Sequence, residues 1–280
     1  MKKFFSIIFG MIIFICLFVL TIIINLNFLF KEKTINNINK NMDYMSFVNV
    51  AGEKDNINNI IDSTYEVLIK SGMSYTDIKN AINSKYLKSV VSKIEVDEIN
   101  YLFYGKKSNA LSKNDLKNMQ NKYIKDKKII LALNFLNPSI LEIEKNINKN
   151  IDSIPNNNLK VVRYLFTNDF KIILLTLITI SCVLIIIINK EKFIPYIFVP
   201  SCIVGIIELL IVLFADNYLY KYLSGLVYVF ILPFVKQFTG TLLKTSLIIM
   251  CISVFYLLIS DNISEKSKVI LKKRIKIKND

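Results

Sequence analysis

FIPYIFVPSCIVGIIELLIVLFA, residues 193–215, is apolar or small at every position but one. About 20 such residues, coiled as a helix, cross the hydrocarbon core of a bilayer. The exception is Glu208, set among Ile206, Ile207, Leu209 and Leu210. Ser201, Gly205 and Glu208 fall at i, i+4 and i+7, so one helix face carries a narrow stripe of small and polar groups. An ionisable group in a span is costly and marks a functional or partner-facing position. Lys244, about one turn into the last apolar block, is the candidate partner, at a similar depth of roughly 10 Å. Ser201, Gly205, Glu208 and Lys244 thus form a candidate intramembrane polar site. Two readings stay open. Glu208 either pairs with Lys244, as an ion pair or proton-relay position, or is a protonated acid bonded to a serine, threonine or backbone carbonyl.

Outward from this stretch lie three more apolar blocks. Residues 4–30 follow Met1, Lys2 and Lys3, and the block is about twice the 7–15 residues of a secretory core, with no small-residue cleavage site. It is expected to remain as a signal-anchor helix within residues 1–30. Residues 171–189 form the second span, joined to 193–215 by a tight hairpin whose connection is Asn189 to Lys192. Residues 241–259 form the last. The run 222–239 is apolar but short and carries Pro233 and Lys236, which points to an interfacial or re-entrant segment. The expected fold class is therefore all-α: a polytopic membrane protein of four transmembrane helices with a helical domain between the first and second. Its 53% hydrophobic content and mean hydropathy of +0.43 agree with a membrane rather than an ordinary soluble chain.

Charge bias sets the expected orientation. Four spans put Lys2, Lys3, Lys190, Lys192 and the basic tail 261–280 on one side, read as cytoplasmic, with both termini inside the cell membrane. Residues 31–170 then lie outside. The tail residues Lys266, Lys268, Lys272, Lys273, Arg274, Lys276 and Lys278 are candidates for binding anionic lipid headgroups as well as fixing orientation.

The outer region reads as a helical bundle. Ile35, Ile38, Met42 and Met45 keep helical spacing, as if the first span continued above the membrane. Ile57, Ile60, Ile61, Thr64 and Leu68 repeat the pattern, and Gly72 supplies a stop. Ser74 with Asp77 and Ser112 with Asp115 have the spacing of capping boxes. A further helix is expected over 88–105. Residues 129–136 are ambiguous between strand and helix. After Asn137-Pro138-Ser139 comes a clean stripe of Ile140, Ile143, Ile147, Ile151 and Ile154. Between Lys31 and Asp169 lie 21 basic and 16 acidic residues, the mixed signs of a solvated surface.

Several chemistries are excluded by composition. The chain has no histidine, so Ser-His-Asp, Cys-His and HExxH sites cannot be built. No aspartate pair lies within the spans, no phosphate-binding glycine loop appears, and no nucleic-acid motif is present. Cys16, Cys182, Cys202 and Cys251 each sit in a different apolar block, which argues against a disulfide framework. No enzyme activity, metal or other cofactor is expected.

One span, a large outer domain and then three spans is an order similar to that of the FtsX and MacB-type membrane subunits of ABC systems. That topological resemblance implies a permease-like subunit with a partner ATPase. A looser likeness, carried by VDEINYL at 96–102 running to Gly105 and by Leu111-Ser112, is to Firmicute-type membrane proteins with a helical outer domain. It implies no particular activity. The primary expectation is a non-enzymatic membrane protein whose outer domain senses, binds or assembles.

Overall fold

The computed structural model describes residues 1–44, 66, 68–70, 72–106, 111–222 and 225–279, with the backbone alone at 191, 216, 220, 222, 225–229 and 261–279. Among these residues there are ten α-helices and no strand. They are α1 (Lys2–Leu29), α2 (Glu32–Asn41), α3 (Tyr75–Ile82), α4 (Lys85–Tyr104), α5 (Lys113–Tyr123), α6 (Lys127–Asp152), α7 (Asn156–Leu165), α8 (Asn168–Asn189), α9 (Ile194–Tyr222) and α10 (Gly225–Asn279). Four segments are long and apolar enough to cross a membrane: Lys2–Leu29, Asn168–Asn189, Ile194–Ala215 and Phe230–Ser260.

The chain divides into two compact units. The first comprises Met1–Asn25, Asn168–Ala215 and Thr239–Asp280. In it Cys16, Leu20 and Ile23 of α1 pack on Leu174 of α8, while Ile172, Ile187, Leu213 and Leu258 face outward. Large exposed aliphatic side chains suit contact with lipid, where no water penalises them. Helices α8 and α9 are joined by a single 3-10 turn, Lys190–Lys192, tight enough to place Lys190 at φ 50°.

The second unit comprises Leu26–Thr167 and Asp216–Phe238. Its core is built from Leu68, Ile78, Tyr86, Val90, Leu116 and Leu133, all nearly or wholly inaccessible. Helix α4 packs against α2, α5, α6 and α7, and α3 packs on α6. Both capping boxes form: Ser74 and Ser112 each accept from the backbone of the aspartate three residues on, and that aspartate accepts from the serine N–H. Each serine hydroxyl also donates to its aspartate carboxylate at 2.7 Å, and this bond first, with the serine N–H bond, holds the Asp77 and Asp115 carboxyls below their ordinary values. Gly72 adopts φ 83°, and the Met73 N–H reaches back to Leu68 O at 3.2 Å, closing the preceding turn. Of the stripe from Ile57 to Leu68, the described residues include Leu68 alone, and Met45 lies outside them.

One expectation is corrected. The first span does not run on into the 32–41 helix. The chain breaks at Lys31, where ψ is 134° and the Thr34 hydroxyl donates to Phe28 O at 2.9 Å. Ile35 and Ile38 nevertheless face inward as their spacing implied. Residues 129–136 are helix, and α6 runs through Pro138 without a break. An internal proline costs roughly 3 kcal/mol, but Ala132 and Leu133 before it and Ile151 after it are all buried, so packing holds both halves. Residues 225–239 open α10, which continues unbroken through the basic tail to Asn279.

Candidate functional site

The first unit brings together an intramembrane polar cluster. Glu208 on α9 is fully buried. Its Oε1 is hydrogen-bonded to the hydroxyl of Thr21 on α1. One turn further along α1, the amide of Asn25 donates to Thr21 O at 2.9 Å and to Thr245 Oγ1 on α10 at 3.1 Å. Thr245 in turn donates to Leu242 O at 2.9 Å. One connected set of polar side chains therefore ties α1 to α9 through Thr21 and to α10 through Asn25.

Thr21 Oγ1 also lies 2.9 Å from Phe18 O. A hydroxyl carries one hydrogen. Both Thr21 contacts are filled at once either by one hydrogen shared between Phe18 O and Glu208 Oε1 or, with a carboxylic acid at Glu208, by Thr21 donating to Phe18 O and the acid donating to Thr21. Glu208 Oε2 has no hydrogen-bond partner among the described residues.

The stripe foreseen on α9 serves two different helices. A Cβ added at Gly205 would stand 2.4 Å from Met250 Cγ and 3.0 Å from Ser246 O, so only glycine allows α10 this close. That is the close backbone approach small residues permit between spans. Ser201 bonds back to Ile197 O at 2.9 Å within its own helix. Lys244 does not join the site. Its side chain is exposed, and the described residues contain no Glu208–Lys244 ion pair. The carboxylate's neighbour is a threonine hydroxyl because Thr21 occupies the α1 face against α9, while Lys244 sits on the opposite, exposed flank of α10. The side chains of Lys266, Lys268, Lys272, Lys273, Arg274, Lys276 and Lys278 lie outside the described residues, although their backbone is helical.

Sequence reasoning passed over Thr21, Asn25 and Thr245. The signal was a threonine and an asparagine at i and i+4 within the isoleucine run of the first span, a spacing that puts both on one face.

The second unit holds a separate polar cluster between α2 and α4. Asn39, nearly inaccessible, donates to Glu95 and to Ser92 (3.3 Å) and accepts from the Tyr44 hydroxyl. Ser92 donates to Asn36 Oδ1 at 2.6 Å. Burial pushes the Glu95 carboxyl up to about 7, against the lowering effect of Asn39. One turn on, burial first and then the carboxylates of Glu144, Asp97 and Asp152 push Glu98 up to about 6. Glu144 is itself buried and accepts from the Leu111 N–H at 2.8 Å. Among the described residues no three His, Cys, Asp or Glu side chains gather in a metal-holding arrangement.

No protein-family model, no curated protein and no solved structure matches this chain.

Proposed function

We propose that this protein is a non-enzymatic, four-span protein of the cell membrane, with both termini cytoplasmic and an outer helical unit that senses, binds or assembles. The observation that carries the reading is the division into two units with different physics. One has lipid-type surfaces and an internal polar tie between spans; the other has its own hydrophobic core and buried carboxyl groups that titrate near neutrality. A unit with its own core is able to hold a binding surface while the spans anchor it. The rival reading, a permease-like subunit coupled to an ATPase, needs a cytoplasmic docking segment. Between α8 and α9 the chain provides three residues.

Two measurements test this. In a cysteine-free background, single cysteines at Ser108 and Asn157 are expected to react with an impermeant thiol reagent on intact cells, while one at Ser267 is not. Labelling at Ser267 would overturn the orientation. Crosslinking and pull-down from native membranes then separates the two readings, because recovery of a stoichiometric ATPase would favour the permease.

A further inference from the structure

A groove of about 580 Å³ runs along the first unit between the start of α1 and the start of α9. Gly10 is among its lining residues. A Cβ there would meet Tyr196 O at 3.1 Å and Pro200 Cγ at 3.3 Å. Tyr196 O is the carbonyl that Pro200, lacking an N–H, leaves without its helical bond, and the glycine lets α1 approach α9 closely at this point. Met11 and Phe14 on α1 and Val199 and Ile203 on α9 line it. Met11, Val199 and Ile203 are exposed, so the groove opens toward the lipid-facing surface. From Ser6 to Phe14, and from Pro195 to Ile203, each wall rises about 12 Å, close to the roughly 15 Å of one leaflet's hydrocarbon.

One end of the groove is basic. Ser6 lines it there, and the Ser6 hydroxyl both donates to Lys2 O at 2.9 Å and accepts from the Asn189 amide at 2.7 Å. These bonds bring the first turn of α1, with Lys2 and Lys3, beside the α8–α9 turn that carries Lys190 and Lys192. Pro195, on the other wall, follows Lys192 by three residues. All four lysines are exposed, and the described residues show no acidic partner for them. The Ser6 hydroxyl is already engaged, so the lysines are the groups available to an incoming anion.

We propose that this groove holds one acyl chain of an anionic bilayer phospholipid, with the headgroup phosphate on Lys2, Lys3, Lys190 and Lys192. Charge complementarity selects the headgroup, and the apolar walls and their one-leaflet length select the tail. The site is distinct from the basic segment 261–280, and it rests on the spans crossing a bilayer rather than on any role for the outer unit.

The chain has no tryptophan, so a single introduced one reports its own surroundings. The full-length protein carrying Met11→Trp is reconstituted in vesicles mixing phosphatidylcholine and phosphatidylglycerol, with one or the other brominated as a quencher. A second protein carries Phe255→Trp, an exposed site at similar depth because its neighbour Tyr256 stacks on Phe198 with centroids 4.6 Å apart. At position 11 the apparent affinity for phosphatidylglycerol is expected to exceed that for phosphatidylcholine by about fivefold, the effect of one engaged lysine near the surface. Position 255 is expected to show no preference. Changing Lys2, Lys3, Lys190 and Lys192 to alanine is expected to abolish the preference at position 11 with helix content unchanged by circular dichroism. Equal quenching by the two lipids at position 11, the same preference at position 255, or a preference that survives loss of the lysines would each overturn the proposal. The comparison of positions 11 and 255 with all lysines present decides it even if the lysine variant fails to insert.

Discussion

Glu208 is buried with one oxygen on Thr21 and the other without a partner among the described residues. A buried polar atom left unpaired costs about 1–3 kcal/mol, whereas a hydrogen bond between spans contributes about 0.6 kcal/mol and at most about 2. The cost exceeds the gain, so the carboxyl is not explained by stability alone. We expect Glu208→Gln, which keeps the shape and a group able to bond Thr21, to melt in detergent at or above the wild-type temperature. Glu208→Ala and Thr21→Val are expected to couple by about 1 kcal/mol in a double-mutant cycle. Lys244→Met is expected to add to Glu208→Gln without coupling. Strong coupling to Lys244 would return the ion pair and displace the threonine bond. Glu208 was legible because an ionisable group among isoleucines and leucines in a span is costly. Thr21 was not, since a threonine in a span commonly bonds its own helix, as Thr179 does to Leu175 O at 2.9 Å. Which such threonine turns to a neighbour depends on how the helices are rotated, and that lies in the packing.

At the scale of elements, helix α4 ends on two coupled devices. Gly105 takes the left-handed conformation at φ 66°, and its N–H and that of Lys106 reach back to Tyr101 O and Asn100 O at 3.2 and 3.1 Å. Arg163 of α7 then donates two N–H groups to Tyr101 O, at 3.2 and 2.9 Å, and lies 5.0 Å over the Tyr101 ring. A cation at a helix C-terminus meets the negative end of the dipole, and the fork with ring stacking is something lysine does not reproduce. Gly105→Ala is expected to cost about 1 kcal/mol from the left-handed backbone alone, with the new Cβ 3.4 Å from Arg163. Arg163→Lys is expected to lose most of what Arg163→Ala loses, about 1–2 kcal/mol, measured by chemical unfolding. Full retention of stability in Arg163→Lys would reduce the arginine to a simple charge. The stop at Gly105 was readable from glycine's freedom at positive φ; the arginine 58 positions later was not, because nothing local marks a side chain that caps a distant helix. Pro138 lies inside α6 without breaking it, because local propensity gives way where the residues on either side are packed.

For the whole molecule, Glu95, half-buried, and Glu98, buried, in the second unit set the response to pH. Glu95 and Glu98 have folded-state values of about 7 and about 6, above the ordinary 4.5 of an exposed glutamate. The folded chain therefore holds these protons more tightly than the unfolded chain does. Their contribution to stability is complete below about pH 4.5 and is lost as pH rises through 6 and 7. Asn39 bonds Glu95 and Tyr44 lies near it, while Glu144, Asp97 and Asp152 act on Glu98, and among the described residues no cation acts on either to reverse the sign. At about 1.4 kcal/mol per unit, Glu95 alone amounts to on the order of 2–3 kcal/mol between pH 5 and pH 8. Asp77 and Asp115, held low by their serines, titrate below this window and do not blur it. The full-length protein in detergent is expected to melt several degrees higher at pH 5 than at pH 8. Glu95→Gln is expected to raise the melting temperature at pH 8 and remove most of the difference, since the amide keeps the bond to Asn39 without a charge to bury. A melting temperature that rises with pH, or a Glu95→Gln variant with the wild-type pH profile, would show that the carboxyl is solvated in the membrane-bound protein and that α2 is held to α4 by other contacts.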